Sequence, residues 1–237
     1  MSMDVLDQYN PLLYRVGRAC SRFIAWFFGR PRVYGRDLVP LEGGLIIAPN
    51  HTSYLDPPLS GSALLKRPVF FMAKSELFAA PILGKLIARV GAFPVRRGSA
   101  DREALRTAYT LLQRGHALVI FLEGGTSKDG RLQSPEMGMA MVALKTGVPV
   151  VPTAIINADK VLPYKGRFFH FAPLTVVFGE PLTFPHLAGK NTDRDALREV
   201  SETVMRRIAD LMRAHGAADR VPEGYLESAT EGAVGES

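Results

Sequence analysis

Residues 45–56 read LIIAPNHTSYLD, an apolar run that passes directly into a polar loop. The run is short and contains two isoleucines, which is typical of a buried strand. Other short apolar runs recur along the chain, and many of their residues are β-branched. They are VFFM (69–72), FPV (93–95), ALVIFL (117–122), VPVVPTAII (148–156) and LTVVF (174–178). The sequence therefore predicts a series of short buried strands.

Three segments beside these runs carry the signals of helices. Residues 101–114 follow Ser99, residues 135–146 follow Ser134, and each segment stops before a glycine. Serine is a favoured N-cap residue, and glycine commonly ends a helix. Residues 193–215 repeat apolar side chains at helical spacing. Strands separated by helices predict a layered α/β fold with a largely parallel sheet flanked by helices, whose active site lies at the carboxyl ends of strands.

The composition limits the partners of the chain. The 237 residues carry a net charge of +6, and the last 21 hold five acids against one arginine, so the rest of the chain is more basic than the whole. A basic surface favours an anionic partner. Nucleic acid is not expected, because the basic residues are neither interleaved with aromatics on a strand nor clustered in a recognition helix. Cys20 is the single cysteine and excludes an internal disulfide.

The N-terminal segment combines positive charge with an apolar face. Residues 12–36 contain six arginines and no acid, and apolar side chains recur at helical spacing. The arginines interrupt the segment too often for a membrane span, which takes roughly 20 mostly apolar residues. We expect an amphipathic helix that contacts anionic lipids and places Trp26 at the headgroup boundary. The alternative is a helix that packs in the core. A second apolar segment, 77–93, either extends this surface or is a buried helix.

Three regions and a location follow from these patterns. Residues 1–36 are predicted to be an N-terminal interfacial helical segment, 37–216 the main domain, and 217–237 a disordered acidic tail. The first ten residues carry Asp4 and Asp7 and lack a basic n-region, so no cleavable signal peptide is predicted. We expect a peripheral or monotopic protein on the cytoplasmic face of the membrane.

His51 and Asp56 are the candidate catalytic pair. Both follow the apolar run 45–49, at the predicted carboxyl end of a strand. An imidazole can take a proton from an alcohol near neutral pH, and a carboxylate on its other nitrogen fixes the tautomer. The sequence lacks a G-x-S-x-G motif, which disfavours a covalent acyl-enzyme. The alternative is structural: His51 packs locally, and Asp56 starts a turn or a helix.

Further motifs accompany this pair. Residues 50–56 match N-H-x-x-x-x-D, and GAFPVRR (91–97), FLEG (121–124), VPVVP (148–152) and AKSELF (73–78) complete the set. With these motifs the chain resembles the glycerolipid acyltransferase family, in particular the lysophosphatidate acyltransferases of the PlsC type. The resemblance covers roughly residues 30–215 and implies a glycerol-3-phosphate acyltransferase-like fold.

The resemblance implies roles for individual residues. His51 would deprotonate the hydroxyl of a lysolipid, which attacks an acyl thioester of coenzyme A or acyl carrier protein directly, and Asp56 would hold His51 in place. Arg96 or Arg97 would bind the acceptor phosphate, and Lys74 would assist the thioester carbonyl. A solvated basic turn and an exposed lysine are the structural alternatives. The donor would be a substrate, so no cofactor is expected.

The third motif departs from the family pattern. The family has F-P-E-G-T-R-S where residues 121–127 read FLEGGTS, so Thr126 stands in place of an arginine, and Glu136 replaces a lysine further on. The loss of one charge-assisted phosphate bond costs about 1.5 to 3 kcal/mol. Acceptors other than lysophosphatidate, such as another lysolipid, a glycolipid or an aminolipid, therefore remain open, as does a non-catalytic lipid-binding protein.

Four residues of this region complete the candidate site. Glu123, Gly124, Thr126 and Lys128 are assigned to substrate binding. Gly124 and Gly125 let backbone amides approach an anion, with a plain turn as the alternative, and Lys128 or Arg131 can supply the missing charge. A metal site is not expected, since the remaining histidines lack ligand spacing with cysteines or acids.

Overall fold

The computed structural model describes residues 5–64, 66–96 and 101–225. Arg97, Ser99 and residues 226–237 of the predicted acidic tail lie outside this range. The helices are α1 (Val5–Gln8), α2 (Pro11–Gly29), α3 (Asp56–Ala63), α4 (Pro81–Arg89), α5 (Arg102–Gln113), α6 (Gly138–Thr146), α7 (Ala158–Val161) and α8 (Arg194–Ala214). The strands are β1 (Arg32–Tyr34), β2 (Leu45–Pro49), β3 (Val69–Lys74), β4 (Ala92–Val95), β5 (Ala117–Val119), β6 (Val150–Ile156) and β7 (Thr175–Phe178).

The strands form one seven-stranded sheet in the order β1-β7-β6-β2-β5-β3-β4. Neighbouring strands are parallel except β6 and β7, which are antiparallel. The central strand β2 aligns Ile47 with Val119 of β5 and with Val151 of β6. All five of its residues are buried, as expected for a strand covered on both faces. The predicted layered α/β fold with a largely parallel sheet is confirmed.

Alternate side chains of β2 point to two different cores. Ile46 and Ala48 belong to the larger cluster, which includes residues of α5, α6 and α8. Leu45 and Ile47 belong to a cluster with Ala63, at the end of α3. The period of two along the strand thus places helices on both faces of the sheet.

Two of the predicted helices begin at other residues than the sequence suggested. The N-cap of α5 is Asp101, whose side chain accepts from the N–H groups of Glu103 and Ala104. The helix predicted over residues 135–146 begins only at Gly138. Its predicted first turn is held in another conformation, because the Glu136 N–H donates to the Leu122 carbonyl at 2.7 Å.

The N-terminal segment is built into the domain. The Tyr14 hydroxyl of α2 accepts from the Val69 N–H at 3.1 Å, and Ala25 and Gly29 are buried. Arg30 takes a left-handed conformation and Pro31 follows it, so the helix ends and residues 32–34 form β1 instead. The predicted boundary at residue 36 therefore separates β1 from β7, with which it pairs in the same sheet. Within the described residues, the helices lack the combination of length and apolar character needed to cross a bilayer.

The domain also extends past residue 216, where the sequence placed the start of the tail. Ala217 and Val221 are buried in the main core. The Arg220 guanidinium donates to Asp159 at 2.6 Å. These contacts anchor residues 217–225, because two apolar side chains and an ion pair join them to the body of the protein.

Candidate active site

His51 and Asp56 meet at the carboxyl end of the central strand. β2 ends at Pro49, the loop turns through His51, and Asp56 is the first residue of α3. The His51 Nδ1 lies 2.9 Å from Asp56 Oδ2, and both side chains are buried. The structure therefore brings the predicted catalytic pair into contact.

A single oxygen of Asp56 receives all its hydrogen bonds. Oδ2 accepts from His51 Nδ1 and from the N–H groups of Thr52 at 2.6 Å and Ser53 at 2.7 Å. Oδ1 is buried without a hydrogen-bond partner among the described residues. Burial raises the pKa of Asp56, and these three donors oppose the rise. Since an ionised carboxylate can only accept, the hydrogen of a neutral His51 ring resides on Nδ1 and leaves Nε2 as the base.

The loop that carries His51 is fastened to the segment around β6. The Asn50 side chain accepts from the Ile155 N–H at 2.7 Å and donates to the Ile155 carbonyl at 3.0 Å. The Ser53 hydroxyl donates to the Leu162 carbonyl at 2.7 Å. These bonds span more than a hundred residues of sequence, so the loop position depends on the assembled sheet.

Glu123 supports the His51 backbone. Its carboxylate accepts from the His51 N–H at 2.7 Å and from the Gln133 N–H at 3.1 Å. Burial raises the pKa of Glu123 to about 7, against the lowering effect of these two donors. The sequence assigned Glu123 to substrate binding, whereas here each of its oxygens accepts from a backbone N–H.

The Nε2 side of the His51 ring faces the third motif, residues 121–127. Thr126 Oγ1 lies 3.0 Å from His51 Nε2, and the Ser127 N–H donates to the His51 carbonyl at 2.7 Å. The Phe121 ring stacks on the imidazole, with 4.1 Å between the ring centroids. The sequence assigned Thr126 to substrate binding, in place of an arginine, but showed neither its contact with His51 nor the stacking of Phe121. The motif FLEG contained the signal for Phe121, although the contact itself is not visible in sequence.

Lys74 and Arg96, two further candidate residues, lie at or just after the ends of strands on one side of β2 in the sheet. Lys74 ends β3 and pairs with Glu76 at 3.1 Å. Arg96 follows β4, and its exposed guanidinium lies 3.4 Å from Asp101. β4 is parallel to β3, β3 is parallel to β5, and β5 is parallel to β2. Lys74 and Arg96 therefore lie on the edge of the sheet that is formed by the carboxyl ends of these strands, where β2 also ends. Lys128 is exposed in the loop after Thr126, and Arg97 lies outside the described residues.

A small, mostly apolar cavity lies beside Phe121, the residue whose ring stacks on His51. It has a volume of about 180 Å³, and its lining includes Phe121, Gly124 and Met139. Gly124 has a φ of +62°, and a Cβ there would lie 2.8 Å from the Glu136 side chain. The left-handed backbone conformation favours glycine at this position.

Comparison with known proteins is consistent with this arrangement. A family model described as Acyltransferase matches residues 30–156, slightly more than half of the chain. The chain belongs to this acyltransferase family. The 1-acyl-sn-glycerol-3-phosphate acyltransferase of Bacillus subtilis is 30% identical over 204 residues, which cover 84% of this chain and 96% of that protein. The family resemblance and the prediction of an acyltransferase enzyme are confirmed.

Two further relatives of this acyltransferase bear on its fold and its acceptor. The crystal structure of the 1-acyl-sn-glycerophosphate acyltransferase PlsC from Thermotoga maritima superposes with a TM-score of 0.65 at 29% identity, covering 85% of this chain and 78% of that one. The lyso-ornithine lipid O-acyltransferase of Pseudomonas aeruginosa is 36% identical over 107 residues, which are 45% of this chain and 40% of that protein. Relatives of this acyltransferase thus bear names with different acceptors.

Proposed function

We propose that this acyltransferase moves a fatty acyl chain from acyl-coenzyme A or acyl carrier protein to the sn-2 hydroxyl of lysophosphatidate, which yields phosphatidate. The contact between Thr126 Oγ1 and His51 Nε2 carries the proposal, because it holds a hydroxyl at hydrogen-bonding distance from the basic nitrogen. An acceptor hydroxyl that replaces the Thr126 hydroxyl there is placed for deprotonation. The name of the Bacillus subtilis relative supports the choice of acceptor.

The steps follow from the two sides of the His51 ring. Nε2 of His51 takes the proton of the acceptor hydroxyl while the oxygen of that hydroxyl attacks the carbonyl carbon of the thioester. Asp56, at 2.9 Å from Nδ1, stabilises the imidazolium that forms. The tetrahedral intermediate then breaks its carbon–sulfur bond, and the thiol leaves with the proton from His51. The products are the acylated acceptor and a free thiol, without an acyl-enzyme.

The surrounding groups provide places for the two substrates. The apolar cavity beside Phe121 suits the first carbons of the acyl chain, because it opens next to the ring that stacks on His51. We assign the acceptor phosphate to Arg96 and Arg97, and assistance at the thioester to Lys74. The exposure of Arg96 and Lys74 at the edge where β2 ends supports these roles.

A different acceptor is the second candidate function. Thr126 and Glu136 stand where the family pattern has cations. The name of the Pseudomonas aeruginosa relative, a lyso-ornithine lipid O-acyltransferase, supports an acceptor with another headgroup. In this second candidate function, the enzyme acylates a lysolipid whose headgroup lacks a phosphomonoester.

Contact with the cytoplasmic face of a membrane is a further part of the proposal. The outer stripe of α2 consists of apolar side chains that are about half exposed or more: Leu12, Val16, Phe23, Trp26 and Phe27. Arg15 and Arg22 are also exposed on this helix. The apolar face that the sequence left open to core packing therefore points outward, which supports an interfacial helix that meets anionic lipids.

The test is release of free thiol from acyl-coenzyme A and acyl carrier protein with a panel of acceptors. The panel holds lysophosphatidate, lysophosphatidylglycerol, a lyso-aminolipid and a monoacylglycerol, and the control is His51→Ala. Preference for lysophosphatidate that is lost in the control supports the proposal. Preference for an acceptor without a phosphomonoester supports the second candidate. Absence of turnover with every pair supports a non-catalytic lipid-binding protein.

A further inference from the structure

A second exposed apolar surface lies between β6 and β7. We call residues 164–172 the aromatic loop. It contains Phe168, Phe169 and Phe171, whose exposed fractions are 77%, 37% and 73%. Residues 160–179 include two lysines and one arginine and no acid. Large rings beside unopposed positive charge are typical of segments that meet an anionic lipid surface.

The aromatic loop and the end of α2 form one continuous patch. The Phe171 ring lies 5.7 Å from that of Phe27 and 5.2 Å from that of Phe28, and the Phe169 ring lies 5.0 Å from Phe28. The Ala172 N–H donates to the Phe28 carbonyl at 3.1 Å. Ring contacts and a backbone bond therefore join the aromatic loop to the outer stripe of α2.

This patch lies at the catalytic edge of the sheet. The aromatic loop follows α7, which begins two residues after the carboxyl end of β6, and β6 runs parallel to β2. The Ser53 hydroxyl in the His51 loop donates to Leu162, two residues before the aromatic loop. Tyr54 and Tyr164 are in ring contact with 6.1 Å between centroids. The segment that carries His51 and the aromatic loop are thus directly attached.

We propose that the aromatic loop and the C-terminal turn of α2 insert together into the headgroup region of an anionic bilayer and hold the His51 edge against it. That a lysolipid acceptor must reach His51 at this edge rests on the proposed function. The choice of a bilayer rests on charge, since exposed Lys165, Arg167 and Arg30 accompany the exposed rings. A lysolipid then passes from the bilayer to His51 without crossing water.

The test uses Trp26 as a probe, because it is the one tryptophan of the chain and 62% of it is exposed in this patch. The full-length protein is titrated with vesicles of phosphatidylcholine, alone or mixed with phosphatidylglycerol, while Trp26 emission is recorded. The variant carries Phe168→Ser and Phe171→Ser. The matched control is Leu41→Ser, whose side chain is also exposed but precedes the amino end of β2.

We expect a blue shift of Trp26 emission with the anionic vesicles for the wild type and the control. The double variant should need at least about tenfold more lipid for half of the shift. Its activity on a long-chain lysolipid in vesicles should also fall about tenfold relative to its activity on a short-chain soluble lysolipid.

Equal titrations of variant and wild type would overturn the proposal. Self-association of the lipid-free wild type that the double variant loses would also overturn it, since the patch would then be a contact between copies. Failure of the wild type to acylate any lysolipid would refute the proposed function instead, and the Trp26 titration would still decide the membrane contact.

Discussion

Replacement of Asp56 by asparagine separates the charge of this residue from its hydrogen bonds. All three donors converge on Oδ2, and Oδ1 is buried without a partner among the described residues. The asparagine oxygen can therefore take the place of Oδ2 and keep the His51 tautomer. Its amide group then occupies the position of Oδ1, where the missing hydrogen bonds cost about 1 to 3 kcal/mol of folding free energy.

The expected kinetic loss follows from the charge alone. In the proposed transfer His51 becomes an imidazolium, and its Nδ1 is 2.9 Å from the carboxylate oxygen of Asp56. Unit charges about 4 Å apart attract by about 4 kcal/mol at the effective dielectric constant near a protein surface. Asp56→Asn should therefore lower kcat/KM by about a thousandfold, because each 1.4 kcal/mol corresponds to a factor of ten.

The assay is thiol release at several acceptor concentrations, with circular dichroism and urea unfolding to verify the fold. His51→Ala gives the background rate. Asp56→Ala, which removes the tautomer control as well, should be slower than Asp56→Asn. A loss smaller than about tenfold in a folded Asp56→Asn protein would refute the reasoning, since the transition state would then contain no imidazolium beside Asp56.

Other substitutions test the surrounding contacts. Burial raises the pKa of Glu123 from 4.5 to about 7, so the folded state binds this proton more tightly than the unfolded state. The stability of the wild type relative to Glu123→Gln should thus fall by roughly 2 to 3 kcal/mol between about pH 5 and about pH 8, and a pH-independent difference in urea unfolding would contradict this. Thr126→Val removes the hydroxyl that competes for His51 Nε2, so KM for the acceptor should fall by up to about fivefold. A tenfold loss of kcat would instead mean that the hydroxyl takes part in the transfer. Arg67→Met removes the donor to the carbonyls of Pro40, Gly43 and Gly115, which belong to two loops, and should cost about 1 to 3 kcal/mol in urea unfolding. The exposed neighbour Lys66→Met serves as control and should cost less than about 0.5 kcal/mol.

The sequence predicted the central strand of this protein, but it did not indicate β1 and it misplaced the start of α6. The run 45–49 was predicted as a strand with the bounds that β2 has, because a short apolar run with β-branched residues is typical of a strand buried on both faces. The strand β1 was missed because it has three residues and lies at the edge of the sheet beside β7, so that its pattern is too short to indicate a strand. The start of α6 was misplaced because a bond from Glu136 to Leu122 overrides the helix signal of Ser134 and Pro135.

The candidate site likewise combines a pair that the sequence suggested with contacts that depend on the tertiary structure. The residue types and spacing of His51 and Asp56 left a structural alternative open, and the accompanying motifs of the family resemblance favoured a catalytic pair. The tertiary structure alone shows that Thr126 faces Nε2, that Glu123 holds the His51 backbone, and that the aromatic loop adjoins the catalytic edge. These contacts join residues 72 to 109 positions apart. Such pairs meet because seven strands bring distant loops to one edge, and the pattern of a single strand contains no information about which loop lies beside it.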